Sequence, residues 1–181
     1  MKKTLNPSSF FICQHKKETM SNIILSFDCG VRNLSYCKIR CLPKGIEILE
    51  WELKNIGKCT AEALVKALPR SIFQDVTMVL IEKQLRKNTA CTVLMHYLEC
   101  ISAIYCPKAM VKRVDARVRL DHIGYVKNSK LSTAQQYAAR KDACVKYTLE
   151  VLANSKWLSK LNTCTKKDDL CDAFTQACVF V

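Results

Sequence analysis

The chain lacks the signatures of several protein classes. It has no Cys-x-x-Cys pair, and His15, His96 and His122 show no finger spacing, so structural zinc is not expected. No segment reaches the roughly 18 to 20 apolar residues that span a bilayer. No secretory leader is expected either, since Phe10-Phe-Ile-Cys13 is too short an apolar core and His15-Lys-Lys-Glu follows it. Without a leader the 12 cysteines do not read as a disulfide framework. Cys100, Cys106, Cys144 and Cys178 lie in apolar runs, where a thiol behaves as a small hydrophobe. The expected setting is intracellular and reducing. Internal repeats, low-complexity tracts and linkers are also missing. That leaves one domain, residues 21–181, behind a polar, basic, unpatterned stretch of residues 1–20. The stretch is expected to be a disordered arm, with Met20 as an alternative start and organelle targeting as an option its composition allows.

Acids are scarce as well. Lys and Arg number 29 against 16 Asp and Glu, a formal charge of 29 − 16 = +13. Such an excess favours a polyanionic partner through long-range attraction and counterion release, without naming the polyanion.

The apolar stretches are short, and two of them end in an acid. Ile23–Phe27 is β-branched and aromatic enough for a buried strand, and Asp28 follows directly. Gly30 lets the chain turn beside that acid, and Leu34–Arg40 resumes an extended pattern. Beyond Pro43-Lys-Gly45, Ile46–Leu53 alternates as a third strand, which predicts an antiparallel meander. Thr60 caps a short helix that ends at Pro69. Val76–Ile81 is the second apolar run, and Glu82 closes it. A helix over Thr89–Tyr105 is apolar nearly all round. A strand over Ala109–Val114 follows, then a basic, weakly patterned loop over Asp115–Thr133. A helix over Ala134–Leu152 and a last helix from about Lys167 complete the chain.

The tail reads Lys166-Lys-Asp-Asp-Leu-Cys-Asp-Ala-Phe. Asp169 and Asp172 are three apart and share a helical face. Asp168 or Asp169 could simply complement the helix dipole. Asp172 sits among Ala173, Phe174, Ala177 and Cys178, on a packed face where an acid is unusual. Asp28, Glu82, Asp169 and Asp172 are therefore expected to converge. Four carboxylates cannot lie together unneutralised, and hard oxygen donors of this kind suit Mg²⁺, with Mn²⁺ as a substitute. Two such ions would activate a water and stabilise the leaving oxygen of a phosphodiester. On a basic surface, the substrate would be nucleic acid.

Phe-Asp-Cys-Gly-x-x-Asn, Ile-Glu-Lys-Gln and Lys-Lys-Asp-Asp-x-x-Asp-Ala-Phe together resemble the RuvC-like Holliday junction resolvases, above all the type encoded by poxviruses and other large DNA viruses. The resemblance spans roughly Ile23 to Ala177 and is specific only in those three motifs. It implies an α/β, RNase H-like fold whose mixed central sheet joins three antiparallel strands to parallel ones, flanked by helices. It also implies a homodimer that nicks four-way DNA junctions in symmetric pairs, using two Mg²⁺ ions and leaving 5′-phosphate ends. Such activity belongs to recombination or to processing of replicated viral DNA, in the host cytoplasm or at the viral replication site. No small-molecule cofactor is implied.

Residue by residue, Asp28 corresponds to the first-strand aspartate, Glu82 to the glutamate closing the fourth strand, and Asp169 and Asp172 to the acids of the last helix. Lys141 matches the lysine that family members place near the scissile phosphate, with Arg140 the competitor. DNA contacts are expected from Arg86, Lys87, Arg117, Arg119, Lys127, Lys130, Arg140, Lys146, Lys166 and Lys167. Leu94, Leu98 and Ile101 are expected at the dimer interface, with Val93 and Tyr97 facing the sheet. Where the bacterial branch has an aromatic three residues after the glutamate, this chain has Leu85, and the Asp115–Thr133 segment has no match. Two rivals remain: a catalytically silent basic DNA-binding module, and an RNase H-type nuclease acting on another nucleic acid.

Overall fold

The computed structural model describes residues 22–85 and 87–181; the expected N-terminal arm and Arg86 lie outside the described residues. Five strands form one sheet in the order β3-β2-β1-β4-β5. Strands β1 (Ile23–Asp28), β2 (Leu34–Leu42) and β3 (Gly45–Lys54) are the antiparallel meander, with a bulge between Lys38 and Ile39. Strand β4 (Met78–Glu82) then pairs parallel with β1, and β5 (Met110–Val114) parallel with β4. The sheet is mixed, as the sequence pattern and the family resemblance anticipate.

The turn between β1 and β2 closes tightly. A Cβ on Gly30 would lie 2.7 Å from the Asn33 carbonyl oxygen, so this position needs glycine on steric grounds.

Both sheet faces are covered, so strand parity decides which residues meet which helices. Ile23, Leu25 and Phe27 of β1, with Val79 and Ile81 of β4, pack towards α1 (Ala61–Ala67), a 3-10 turn at Arg70–Phe73, and α2 (Thr89–Tyr105). Ile24 and Leu80, with Cys37 and Trp51, pack towards α4 (Thr133–Val151), α5 (Trp157–Thr163) and α6 (Lys167–Cys178). Asp28 has the parity of Ile24, and Glu82 that of Leu80. Both acids therefore end their strands on the α6 side.

Helix α6 is fastened to the sheet by side-chain hydrogen bonds as well as by Phe174 and Ala177. Ser35 Oγ of β2 donates to the Asp169 carbonyl oxygen at 2.6 Å, and Trp51 Nε1 of β3 donates to that of Leu170 at 2.9 Å. Gln176 Nε2 donates to Ser26 Oγ and to the Phe27 carbonyl oxygen of β1, at 3.0 and 3.2 Å. These bonds fix the rotation of α6 as well as its distance from the sheet.

Two expectations need correction. Leu94, Leu98 and Ile101 are buried in the core together with Met95 and Ser102, because that face of α2 covers the sheet; they are not a free interface. Val93 and Tyr97 sit half-buried at its margin. The Asp115–Thr133 segment is not wholly a loop, because Ala116–His122 forms α3, capped by the Asp115 side chain on the Arg117 amide. The described cysteines are unpaired. No described helix is long and apolar enough to cross a membrane.

Candidate active site

Phe27 and Ile81 are register partners in the parallel β1–β4 pair, so Asp28 and Glu82 leave the sheet side by side. Their carboxyls lie close enough to perturb each other's ionisation. Above them, Asp169 and Asp172 lie one turn apart on the face of α6 that also carries Gln176. Asp172 is only 1% exposed.

Two cations connect these acids. The Arg119 guanidinium bridges the sheet to the helix, with Nη1 3.1 Å from Glu82 Oε1 and Nη2 3.0 Å from Asp172 Oδ2. Lys141 Nζ, from α4, lies 2.7 Å from Asp172 Oδ2, 3.2 Å from Asp169 Oδ1 and 3.3 Å from Asp168 Oδ2. Arg140, the alternative cation, is exposed and donates to the Gln136 carbonyl oxygen instead.

The electrostatics follow from this geometry. Burial first, then the Glu82 and Asp172 carboxylates, hold Asp28 well above the usual carboxylate range. Burial alone would raise Glu82 too, but the Asp28 carboxyl, the Arg119 charge and Gln84 outweigh it and keep Glu82 low. Asp169 is raised, chiefly by burial, against the pull of Lys141. Lys141 and Arg119 lose hydration, yet the acids around them more than compensate and hold both protonated.

Five carboxylates, Asp28, Glu82, Asp168, Asp169 and Asp172, surround two cations, a formal balance of 2 − 5 = −3 before the raised proton affinity of Asp28 is counted. Asp172 Oδ1 is buried and accepts no hydrogen bond. A residual negative charge, an unpartnered oxygen and an all-oxygen donor set fit a hard divalent cation. Among the described residues no three His, Cys, Asp or Glu side chains are grouped closely enough to hold one as they stand.

Asp28, Glu82 and Asp169 line shallow clefts, while Asp172 is buried. One, of about 380 Å³, is lined by Asp28, Gly30, Asn33, Asn88 and Asp169. A second, of about 420 Å³, is lined by Glu82, Gln84, the exposed Leu85, Lys87 and Asp115. A larger one, of about 650 Å³, lies between α3 and the start of α4, where Arg117, Tyr125, Lys127 and Arg140 contribute. Lys87, Arg117, Lys127, Lys130, Lys146 and Lys166 are exposed, and Lys167 is half-exposed.

Arg119 departs from the sequence reading. It was expected to contact DNA, but it is buried inside the acid cluster. The available signal was Arg117 and Asp121, spaced as an exposed i, i+4 pair and 3.8 Å apart in the structure. On a helix, Arg119 lies roughly 200° from Arg117 and so points inward.

The family model described as "Poxvirus A22 protein" matches residues 22–181. Among solved structures, the fowlpox virus resolvase in complex with substrate Holliday junction DNA is similar, with a TM-score of 0.63 and 18% identity over 87% of this chain and 95% of that one. The yeast mitochondrial Holliday junction resolvase has a TM-score of 0.57 and 18% identity over 88% of this chain and 79% of that one. Thermus thermophilus RuvC has a TM-score of 0.56 and 11% identity over 87% and 94%. At these identities the likeness establishes a shared fold. No curated protein matches the chain.

Proposed function

The chain belongs to the Poxvirus A22 protein family, and from its acid cluster we propose that it is a divalent-metal-dependent endonuclease that resolves four-way DNA junctions. The observation that carries this reading is the meeting of Asp28, Glu82, Asp169 and Asp172 from two parallel strand ends and one helix, below a cationic surface. The fold neighbours described as Holliday junction resolvases support the choice of substrate.

The four acids would hold two Mg²⁺ ions, which would supply Lewis-acid activation of water and charge neutralisation at the leaving oxygen. Lys141 stays protonated and reaches three acids from the solvent side. It is therefore placed to neutralise a phosphate oxygen arriving at them. Asn33 and Asn88, on the rim beside Asp28, offer neutral donors for the sugar-phosphate backbone. The exposed lysines and arginines around the clefts would hold the arms through their phosphates, setting register without reading sequence.

Paired nicks need two sites related by a two-fold axis. With Leu94, Leu98 and Ile101 committed to the core, the α2 residues available to a second copy are Val93, Tyr97, Cys100 and Ile104, at i, i+4, i+7 and i+11. Ile104 is 68% exposed, a degree of exposure that packing against a twin would remove. Residues 21–181 would act as one nuclease domain, inside the cell at the site of DNA replication or recombination.

The test is incubation with a synthetic four-way junction, a linear duplex and an RNA–DNA hybrid, each with Mg²⁺ and with EDTA. Cleavage of the junction alone, in opposed strands and only with Mg²⁺, is expected. Preferential cutting of the hybrid would redirect the reading to an RNase H-type nuclease. Junction binding without any cutting would leave a DNA-binding module.

A further inference from the structure

Arg119 is poorly satisfied for a buried arginine. Its two Nη atoms are paired, but Nε is buried with no hydrogen-bond partner, and so is Asp172 Oδ1 in the same site. Buried polar groups in settled native networks are almost always paired. An unpaired Nε and an unpaired Oδ1 leave this cluster polar capacity that a second arrangement could use.

Arg119 bridges two of the carboxylates that a divalent cation would need. Glu82 Oε1 accepts from Arg119 and Glu82 Oε2 from Gln84, while Asp172 Oδ2 faces both Arg119 Nη2 and Lys141 Nζ, so the guanidinium is held directly against both carboxylates. Each oxygen keeps a second lone pair, but a cation bonded at about 2.0–2.1 Å to both carboxylates would meet the positive charge of the guanidinium that bridges them. Arg119 is also the one fully buried residue of α3. The helix is short, carries Arg117 and Leu120 on the wall of the cleft of about 650 Å³, and ends beside Gly124 at φ +70°.

We propose that Arg119 is an internal counter-ion that holds the metal-free site together and is displaced when divalent cations load, releasing α3. This rests on the metal-dependent reading above. By linkage, whatever holds α3 away from the acids, such as a DNA arm in the neighbouring cleft, raises affinity for metal by the same factor that metal loosens α3.

The test uses the full chain without DNA. Calorimetric titration with MgCl₂ and MnCl₂ should give Arg119→Met about tenfold or more tighter metal binding than wild type, while its melting temperature in EDTA falls by roughly 6 °C or more. An arginine that merely positions the acids predicts the reverse, weaker metal binding, and that result or an unchanged affinity overturns the proposal. Should Arg119→Met not fold, hydrogen exchange on wild type decides. Amides of Ala116–His122 should exchange faster with Mg²⁺ while those of α6 slow, and equal or greater protection of α3 with metal overturns the displacement. Wild type that takes up neither ion would sink the metal-dependent reading itself, and this inference with it; uptake without the Arg119 effect sinks the inference alone.

Discussion

Replacing Asp28 by Asn should stabilise the metal-free protein while abolishing cleavage. The folded state binds the Asp28 proton more tightly than the unfolded chain does, because burial and the neighbouring acids oppose its ionisation. Stability is therefore lost as pH rises above the ordinary aspartate range, near 3.9, towards the raised one. Asparagine cannot ionise, and its amide can donate to Glu82. Each factor of ten in proton affinity is worth about 1.4 kcal/mol, or roughly 3 to 6 °C in melting temperature for a chain of this size. Glu82 has the opposite sign: its folded value is lowered, so its contribution is present at neutral pH and fades as pH falls. Glu82→Gln removes a charge-assisted bond from Arg119, worth about 1.5 to 3 kcal/mol, and should lower the melting temperature at pH 8. Thermal melts in EDTA between pH 4 and pH 9 compare the two. If Asp28→Asn melts below wild type at pH 8, or both variants move the same way, the electrostatic account of these adjacent acids is wrong.

Asp172→Asn should reduce cleavage of a four-way junction to background yet keep junction binding in a gel-shift assay. Asp168→Ala should cut at a rate within about threefold of wild type, since Asp168 is partly exposed and meets only Lys141 at the edge of the site. Binding should weaken as salt rises with a slope of about −0.9 per phosphate neutralised. Arg117→Ala and Lys130→Ala should lower affinity in that titration, and Lys141→Ala should lower the cleavage rate more than affinity. Ile104→Glu should give a folded monomer in sedimentation that binds but makes no paired nicks. Leu98→Glu, which puts a charge in the core, should instead lose its cooperative melt.

The acids were legible in the sequence because each breaks a strong local rule. Asp28 and Glu82 end apolar runs too short for helices, and Asp172 interrupts the packed face made by Ala173, Phe174 and Ala177. The antiparallel meander followed from the short turns among the first three strands, whereas the parallel strands beside it came only from the family resemblance. What escaped was rotation and context. Helix α2 is apolar on so many sides that sequence alone does not say which side meets the sheet, and placing Val93 and Tyr97 inward instead of Leu94 and Leu98 is an error of one residue, about 100° of helix. Helix α3 has seven residues, too few for periodicity to show, so Arg119 read as surface charge. Trp157–Thr163 hid for the same reason of length.

The bonds from Ser35, Trp51 and Gln176 that fasten α6 to the meander also set when the site can exist. Asp28 and Glu82 are 82 − 28 = 54 residues apart, and Glu82 and Asp172 are 172 − 82 = 90 apart. Contacts of such separation close late, because the intervening chain must first surrender its freedom. A chain still folding, or one ended before Lys167, would meet DNA as a basic surface with half its acids absent. On the proposed reading, cutting would be withheld from partially built forms of the molecule, and the hydrogen bonds that orient α6 would act as a completion check on the fold.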